Sequence, residues 1–278
     1  MDLAFFRRLD DGTLDPLDLA RSSWSADQAH GVAICGALAH EAEHRLADLG
    51  RSVMVPSRVT VDLFRPTRMQ PCRLESTVVR KGSRICLVDT RLVQDGEVTA
   101  RGSVLFLQPS ADPEGEHWRP DPADRPLPPP TDVAPVTDQP HVPYLHSAAD
   151  WSQDFRDHQN AGRTTYWNTA PPIVLGEPVT PFEAVSASAD GTSLATNWGT
   201  HGVQHINADV TLSLARRPVG VSIGIRALER VEHDGVVSAS ATVFDREGVL
   251  GTSTVSAIAN TRRGIDMAAQ DWSGDPRA

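Results

Sequence analysis

Apolar and polar residues alternate along two stretches of this chain, and each stretch then runs into arginine and proline. The first is Val59-Thr-Val-Asp-Leu-Phe-Arg65-Pro66, and the second is Asp209-Val-Thr-Leu-Ser-Leu-Ala-Arg216-Arg217-Pro218. Period-two alternation is the pattern of a strand with one face buried. Similar segments follow each stretch in the same order. After the first come 72–80, 84–94, a turn at Asp95-Gly96, and 98–107. After the second come 221–231, 236–244, an acidic turn from Asp245 to Gly248, and 249–259. A repeat this long predicts a duplicated domain rather than a solenoid.

A helix is predicted ahead of each set of strands. In the first copy Ile34, Leu38, Ala42 and Leu46 recur every four residues and form one apolar stripe. Ser25 and Gln28 have the spacing of a capping box at its start, and Gly50 marks its end. Gly31 and Gly36 lower helix propensity, which predicts close neighbours there. Short strands are expected at 3–9 and 13–20. The second copy has strand candidates at 150–157 and 162–168, then a shorter helix over 178–189 with Pro181 in its first turn.

Between Pro109 and Pro143 lie 11 of the 21 prolines. Proline lacks a backbone donor, so this stretch is read as a linker outside the sheets. The expected organisation is a first unit over 1–108, a linker over 109–145, a second unit over 146–263 and a frayed polar tail over 264–278. The fold class is α+β, with two tandem antiparallel sheets each wrapped around one helix, and an exposed edge of one copy pairs with the other in cis.

Composition narrows the chemistry. The 278 residues are 40% hydrophobic and 22% charged, with net charge −10, which argues against nonspecific nucleic-acid binding. Lys81 is the only lysine, so Schiff-base or P-loop chemistry has almost nothing to use. Cys35, Cys72 and Cys86 sit in apolar patterns, and an odd, widely spaced set predicts buried thiols rather than disulfides or zinc. No signal-peptide pattern and no long apolar run is seen, so the expected setting is the cytoplasm, away from membranes. No metal motif and no cofactor motif is found.

Several short motifs together resemble a known family. They are Trp24 through His30-Gly31, Ala189-Asp190, Ile206-Asn207-Ala208-Asp209-Val210, Arg216-Arg217-Pro218, and Asp245 through Gly251. They resemble thioesterase-like double-hotdog proteins, the group of the type II acyl-CoA thioesterases. The resemblance implies a double hotdog fold and hydrolysis of acyl-CoA by a water molecule. In that family an Asp, a Thr or Asn, and a Gln hold the water. The matching positions are Asp190, Asn207 and Ser256, so the chain departs from the family at the third. Ser256 is shorter than Gln and needs an extra water to reach the same point.

The residues themselves add further candidates. Alternation over 203–214 sets His205, Asn207 and Asp209 in one row about 6–7 Å apart on a strand. His30, Gly31, His205 and Arg216 are candidate substrate contacts, and amides near Gly31 offer an oxyanion site at a helix N-terminus. Arg65, Arg68, Arg216 and Arg217 are candidates for CoA phosphates. The first expectation is a thioesterase acting on acyl-CoA, as a monomer or homodimer. The alternatives are a noncatalytic acyl-CoA-binding protein, and a hydratase or dehydratase built on Asp27 and His30.

Overall fold

A computed structural model of the chain describes residues 3–269. The first copy opens with β1 (Phe6–Arg8), β2 (Leu14–Pro16), β3 (Arg21–Ser22) and β4 (Ser25–Ala29), then α1 (Gly31–Asp48). Four longer strands follow: β5 (Val55–Leu63), β6 (Arg73–Lys81), β7 (Ile85–Gln94) and β8 (Glu97–Leu107). The second copy carries β9 (Tyr144–His146), β10 (Thr165–Thr169), α2 (Pro181–Ala189) and α3 (Gly191–Asn197). It continues with β11 (Trp198–Gly199), β12 (Gly202–Val203), β13 (His205–Asn207), β14 (Asp209–Leu214), β15 (Ser222–His233), β16 (Val236–Asp245) and β17 (Gly248–Ala259).

The two halves are joined edge to edge in one continuous sheet, through the cis edge pairing that the sequence repeat implied. The strand order is β6-β7-β8-β5-β14-β17-β16-β15-β10-β9, with β13 also pairing β17. The seam is the antiparallel pair β5–β14, where Val61 faces Val210 and Val59 faces Leu212. These are the two alternating stretches that open the sequence repeat. Each would otherwise present a row of unpaired backbone groups, and pairing satisfies both edges at once. Val59, Val61, Val210 and Leu212 all bury their side chains on the helix side of this seam.

α1 lies across β5–β8 and packs against α2. Its predicted stripe of Ile34, Leu38, Ala42 and Leu46 is buried. The helix start differs from the expected capping box. Ser25–Ala29 is strand, and His30 is the N-cap, its ring accepting from the Ala33 N–H. The second copy holds the capping box instead: Thr180 accepts from the Glu183 N–H, and Glu183 accepts from the Thr180 N–H.

Other expectations also change. The helical stretch of the second copy continues past Ala189 as α3, so this half carries two helices joined at Asp190. The strand expected at 150–157 is a 3-10 turn over Phe155–His158, while β9 lies earlier, at 144–146. Residues 264–269 are not frayed. Ile265 pairs with Val203 through both backbone groups, and Ile265 and Met267 are buried because they close one side of a cavity. The rest of the expected tail, 270–278, lies outside the described residues.

Between Pro109 and Pro143 the chain forms no strand. It is held where Arg246 donates to the Ala134 and Pro129 carbonyls. Ala134 is buried there beside Trp167 and Phe244.

Candidate functional site

Asp190 is the residue at which α2 stops and α3 starts. Its carboxylate is carried to the N-terminus of α1, in the other half of the chain. It accepts a hydrogen bond from the Val32 N–H of that first turn. A helix N-terminus favours negative charge because its first N–H groups lack intrahelical partners. The approach is so close that a Cβ on Gly31 would lie 2.3 Å from Asp190 Oδ1. This is the close neighbour that a glycine in a helix start implied.

The second contact comes from β13. Asn207 Nδ2 donates to Asp190 Oδ1 at 3.0 Å and also reaches the Asp209 carbonyl at 3.4 Å. Simple alternation would set Asn207 in a row with Asp209, opposite to Val210. The strand departs from alternation at Ala208. Asn207 pairs with Ala257 while Thr211 pairs with Thr254, a slip of one residue. This bulge lets Asn207 and Val210 face the helices together. Asp209 instead accepts from the Ser256 N–H at 2.6 Å.

Ser256 does not join Asp190 and Asn207. Along this part of β17 Ser253, Val255 and Ala257 are buried, and Ser256 is exposed between the last two. The expectation that it occupies the third place therefore fails, because its side chain points to the outer face.

Burial pushes the Asp190 carboxyl above the ordinary carboxylate range, and the hydrogen bonds from Asn207 and Val32 hold it back down in part. Its remaining exposure is to a cavity of about 1040 Å³, which Asn207 also lines. Phe5, Leu19, Trp24, Phe155, Leu194 and Met267 give this cavity apolar walls drawn from both halves of the chain. A large, mostly apolar hollow with a few convergent polar groups is the usual form of a small-molecule site.

The remaining candidates separate clearly. His30 lines the cavity, but Nδ1 accepts from the Ala33 N–H at 3.0 Å and Nε2 lies 2.9 Å from the Leu19 carbonyl. Both ring nitrogens are engaged, so an Asp27/His30 acid–base pair finds no support. His205 lines the cavity and contacts Glu232 at 3.2 Å.

Arg216 does not line the cavity. Its guanidinium makes two hydrogen bonds, at 2.7 and 2.8 Å, to the fully buried Asp245, because that carboxylate must be paired. Arg217 holds Glu43 and the Ser52 carbonyl, and Arg65 pairs with Glu97. The basic groups that do line the cavity are Arg7 and Arg21. The linear sequence marks neither.

The sequence suggested no histidine and carboxylate at metal-ligand spacing. In the fold His40, His44 and Glu177 bring ligand atoms within 4.8 Å of one another. His40 Nδ1 is 2.6 Å from Glu183 Oε1, and Arg8 bridges His40 Nε2 and Glu177 at 3.1 and 3.0 Å. A guanidinium already occupies the cation position of this cluster. All three cysteines are buried and free. Among the described residues no helix is long and apolar enough to cross a membrane.

This sheet and helix arrangement is that of the hotdog fold. A protein from Alicyclobacillus acidocaldarius described as having a hot dog fold superposes with TM-score 0.60 at 18% identity, over 93% of this chain and 96% of its own. The TesB protein of Mycobacterium avium subsp. paratuberculosis gives TM-score 0.61 at 16% identity, over 91% and 95%. The acyl-CoA thioesterase II TesB2 of Mycobacterium marinum gives 0.56 at 15%, over 94% and 96%. No curated protein matches the sequence significantly. Residues 20–107 match the acyl-CoA thioesterase N-terminal domain, and residues 113–258 match the acyl-CoA thioesterase C-terminal domain. The chain therefore belongs to the acyl-CoA thioesterase family and is a thioester hydrolase.

Proposed function

We propose that this protein hydrolyses acyl-CoA through direct attack of a water held between Asp190 and Asn207. The observation that carries the reading is the 3.0 Å contact of Asn207 with a carboxylate that is seated at the α1 N-terminus and opens to the cavity. Both Asn207 N–H directions are used, toward Asp190 and the Asp209 carbonyl, so its Oδ1 is the end left to accept from water. Water between two acceptors donates to both and turns a lone pair toward the substrate.

The thioester carbonyl would lie over this water, with the acyl chain along the apolar walls. Asp190 takes a proton as the water oxygen bonds to the carbonyl carbon. Burial raises the Asp190 carboxyl, which makes its ionised form a stronger base than an ordinary carboxylate. The developing oxyanion needs a donor. In the first turn of α1 the Val32 N–H goes to Asp190, the Ala33 N–H to the His30 ring, and the Ile34 N–H to the His30 carbonyl. Among the described residues the Gly31 N–H is the amide left over, and we assign it to the oxyanion. The C–S bond then breaks, and the leaving thiolate takes the proton from Asp190. Ser256 has no part in this scheme.

The reading extends to organisation. Residues 1–108 and 146–263 are two hotdog units, 109–145 is the strap between them, and the site forms where the units meet. Mass spectrometry during turnover of acyl-CoA tests the direct attack. The expected result is free acid and CoA with no acylated protein. An acyl group trapped on a serine, cysteine or carboxylate would replace this scheme with a covalent one.

A further inference from the structure

One wall of the cavity is built around a side-chain amide that finds no hydrogen-bond partner among the described residues. Asn168 sits on β10, is 2% exposed, and lines the same cavity as Asp190 and Asn207. Its Oδ1 is buried without a hydrogen-bond partner. No protein group among the described residues reaches its Nδ2 either. The strand fixes where this amide points. Trp167 turns to the outer face, against Phe244. Tyr166 turns inward, and its ring lies 3.3 Å from where a Cβ on Gly191 would stand. Gly191 is the residue after Asp190, and Asn168 follows Tyr166 on the same face, about 6–7 Å along the strand.

A buried polar group left unsatisfied costs about 1–3 kcal/mol. A cavity meant only for hydrocarbon gains nothing from such a group, and leucine would fill the same space without that cost. Ser193, on the neighbouring α3, adds to the anomaly. It is 7% exposed, lines the cavity, and its hydroxyl makes no hydrogen bond to the described residues. An amide offers both a donor and an acceptor, and a hydroxyl is the small group that answers both.

We propose that Asn168, with Ser193 beside it, selects acyl groups that carry a hydroxyl, so that the preferred substrates are hydroxyacyl rather than plain acyl thioesters. This rests on the reading that the acyl group occupies this cavity during hydrolysis. A site that hydrogen-bonds a substrate hydroxyl discriminates against the analogue lacking it, because the site's own groups are then stranded. The same chemistry could be answered by the amides of the pantetheine arm, which every CoA thioester shares.

The test compares kcat/KM for acyl-CoAs of one chain length, either unsubstituted or hydroxylated at the 2-, 3- or terminal carbon, in the wild type and in Asn168→Leu. The expected result is a preference of at least about tenfold for one hydroxyacyl-CoA in the wild type, falling to about onefold in the variant. No preference in the wild type for any hydroxyl position overturns the proposal, whether or not the variant folds. An equal loss on all substrates in Asn168→Leu also overturns it, and assigns the amide to the pantetheine arm. A wild type that hydrolyses no thioester refutes the water mechanism instead. In that case the same ratios, measured as binding to the intact thioesters, still decide the role of Asn168.

Discussion

The Gly31 backbone and the Asp190 carboxylate occupy adjoining space: a Cβ on residue 31 would meet Oδ1 at 2.3 Å and Cγ at 2.5 Å. The first residue of α1 in one half is thereby fitted to the junction of α2 and α3 in the other. Gly31→Ala forces the carboxylate away from the Val32 N–H. Alanine raises helix propensity by about 1 kcal/mol, so the fold should persist. Misplacing a reacting group by about 1 Å costs about 100-fold in rate. Steady-state hydrolysis beside a thermal melt checks this: the expected outcome is a large loss of kcat with the melting temperature nearly kept.

Asn207 and the pH profile are linked through Asp190. Burial raises the Asp190 carboxyl, and the Asn207 hydrogen bond opposes that rise. The base is the ionised form, so activity falls as pH drops through this raised value. Asn207→Ala removes the opposing donor and moves the acid limb of kcat/KM further toward high pH. The variant should be more impaired at pH 6 than at pH 9, by a factor of about ten for each unit the limb moves. An acid limb that stays in place would mean that Asn207 does not act on Asp190.

Arg216 is tied into the fold by Asp245. Burial alone would raise Asp245, but the Arg216 hydrogen bonds and the Val219 and Glu247 amides bring it net below the ordinary carboxylate value. A lowered carboxyl gives stability that is present above its unfolded value and is lost as pH falls through the folded one. Arg216→Met leaves a buried carboxylate unpaired, at a cost of roughly 3 kcal/mol. This is the lower end of the usual range, because the Arg216 side chain is 35% exposed. Denaturant titrations should show the deficit at pH 7 and a smaller one toward pH 3, with KM unchanged at neutral pH.

The cysteines give a cleaner expectation. Burial pushes the Cys35 thiol well above its ordinary value, and Cys72 up to about 12. Thiolates are the reactive form, so native protein should not titrate with a thiol reagent, whereas all three cysteines should after denaturation. Fast labelling of folded protein would contradict the burial seen here.

The strand repeat was readable because the alternation at Val59–Leu63 and Val210–Leu214 is a local signal of a half-buried strand. So was the stripe from Ile34 to Leu46. The thiol burial could also be read from the apolar neighbours of each cysteine. What escaped were features that depend on distant partners. The bulge at Ala208 that turns Asn207 inward lies where the chain passes from β13 to β14 along β17, and alternation alone predicted the wrong neighbours. Ser256 followed from a motif position, and one step of strand register sends it to the outer face. Arg216 looked like a free cation until Asp245 was found beneath it. Asn168 carries no motif at all. Only its unbonded amide in the cavity marks it. Gly31 was the exception, since a helix-start glycine already implied a close neighbour without naming it.

The most direct measurement is thiol release from a panel of acyl-CoAs by the wild type and by Asp190→Asn, with circular dichroism to show that both are folded. The account predicts release by the wild type and a fall of about 10²–10⁴-fold in the variant at pH 7, the range that a general base supplies. A folded Asp190→Asn that keeps the wild-type rate would contradict the assignment of Asp190 as the base that activates the hydrolytic water.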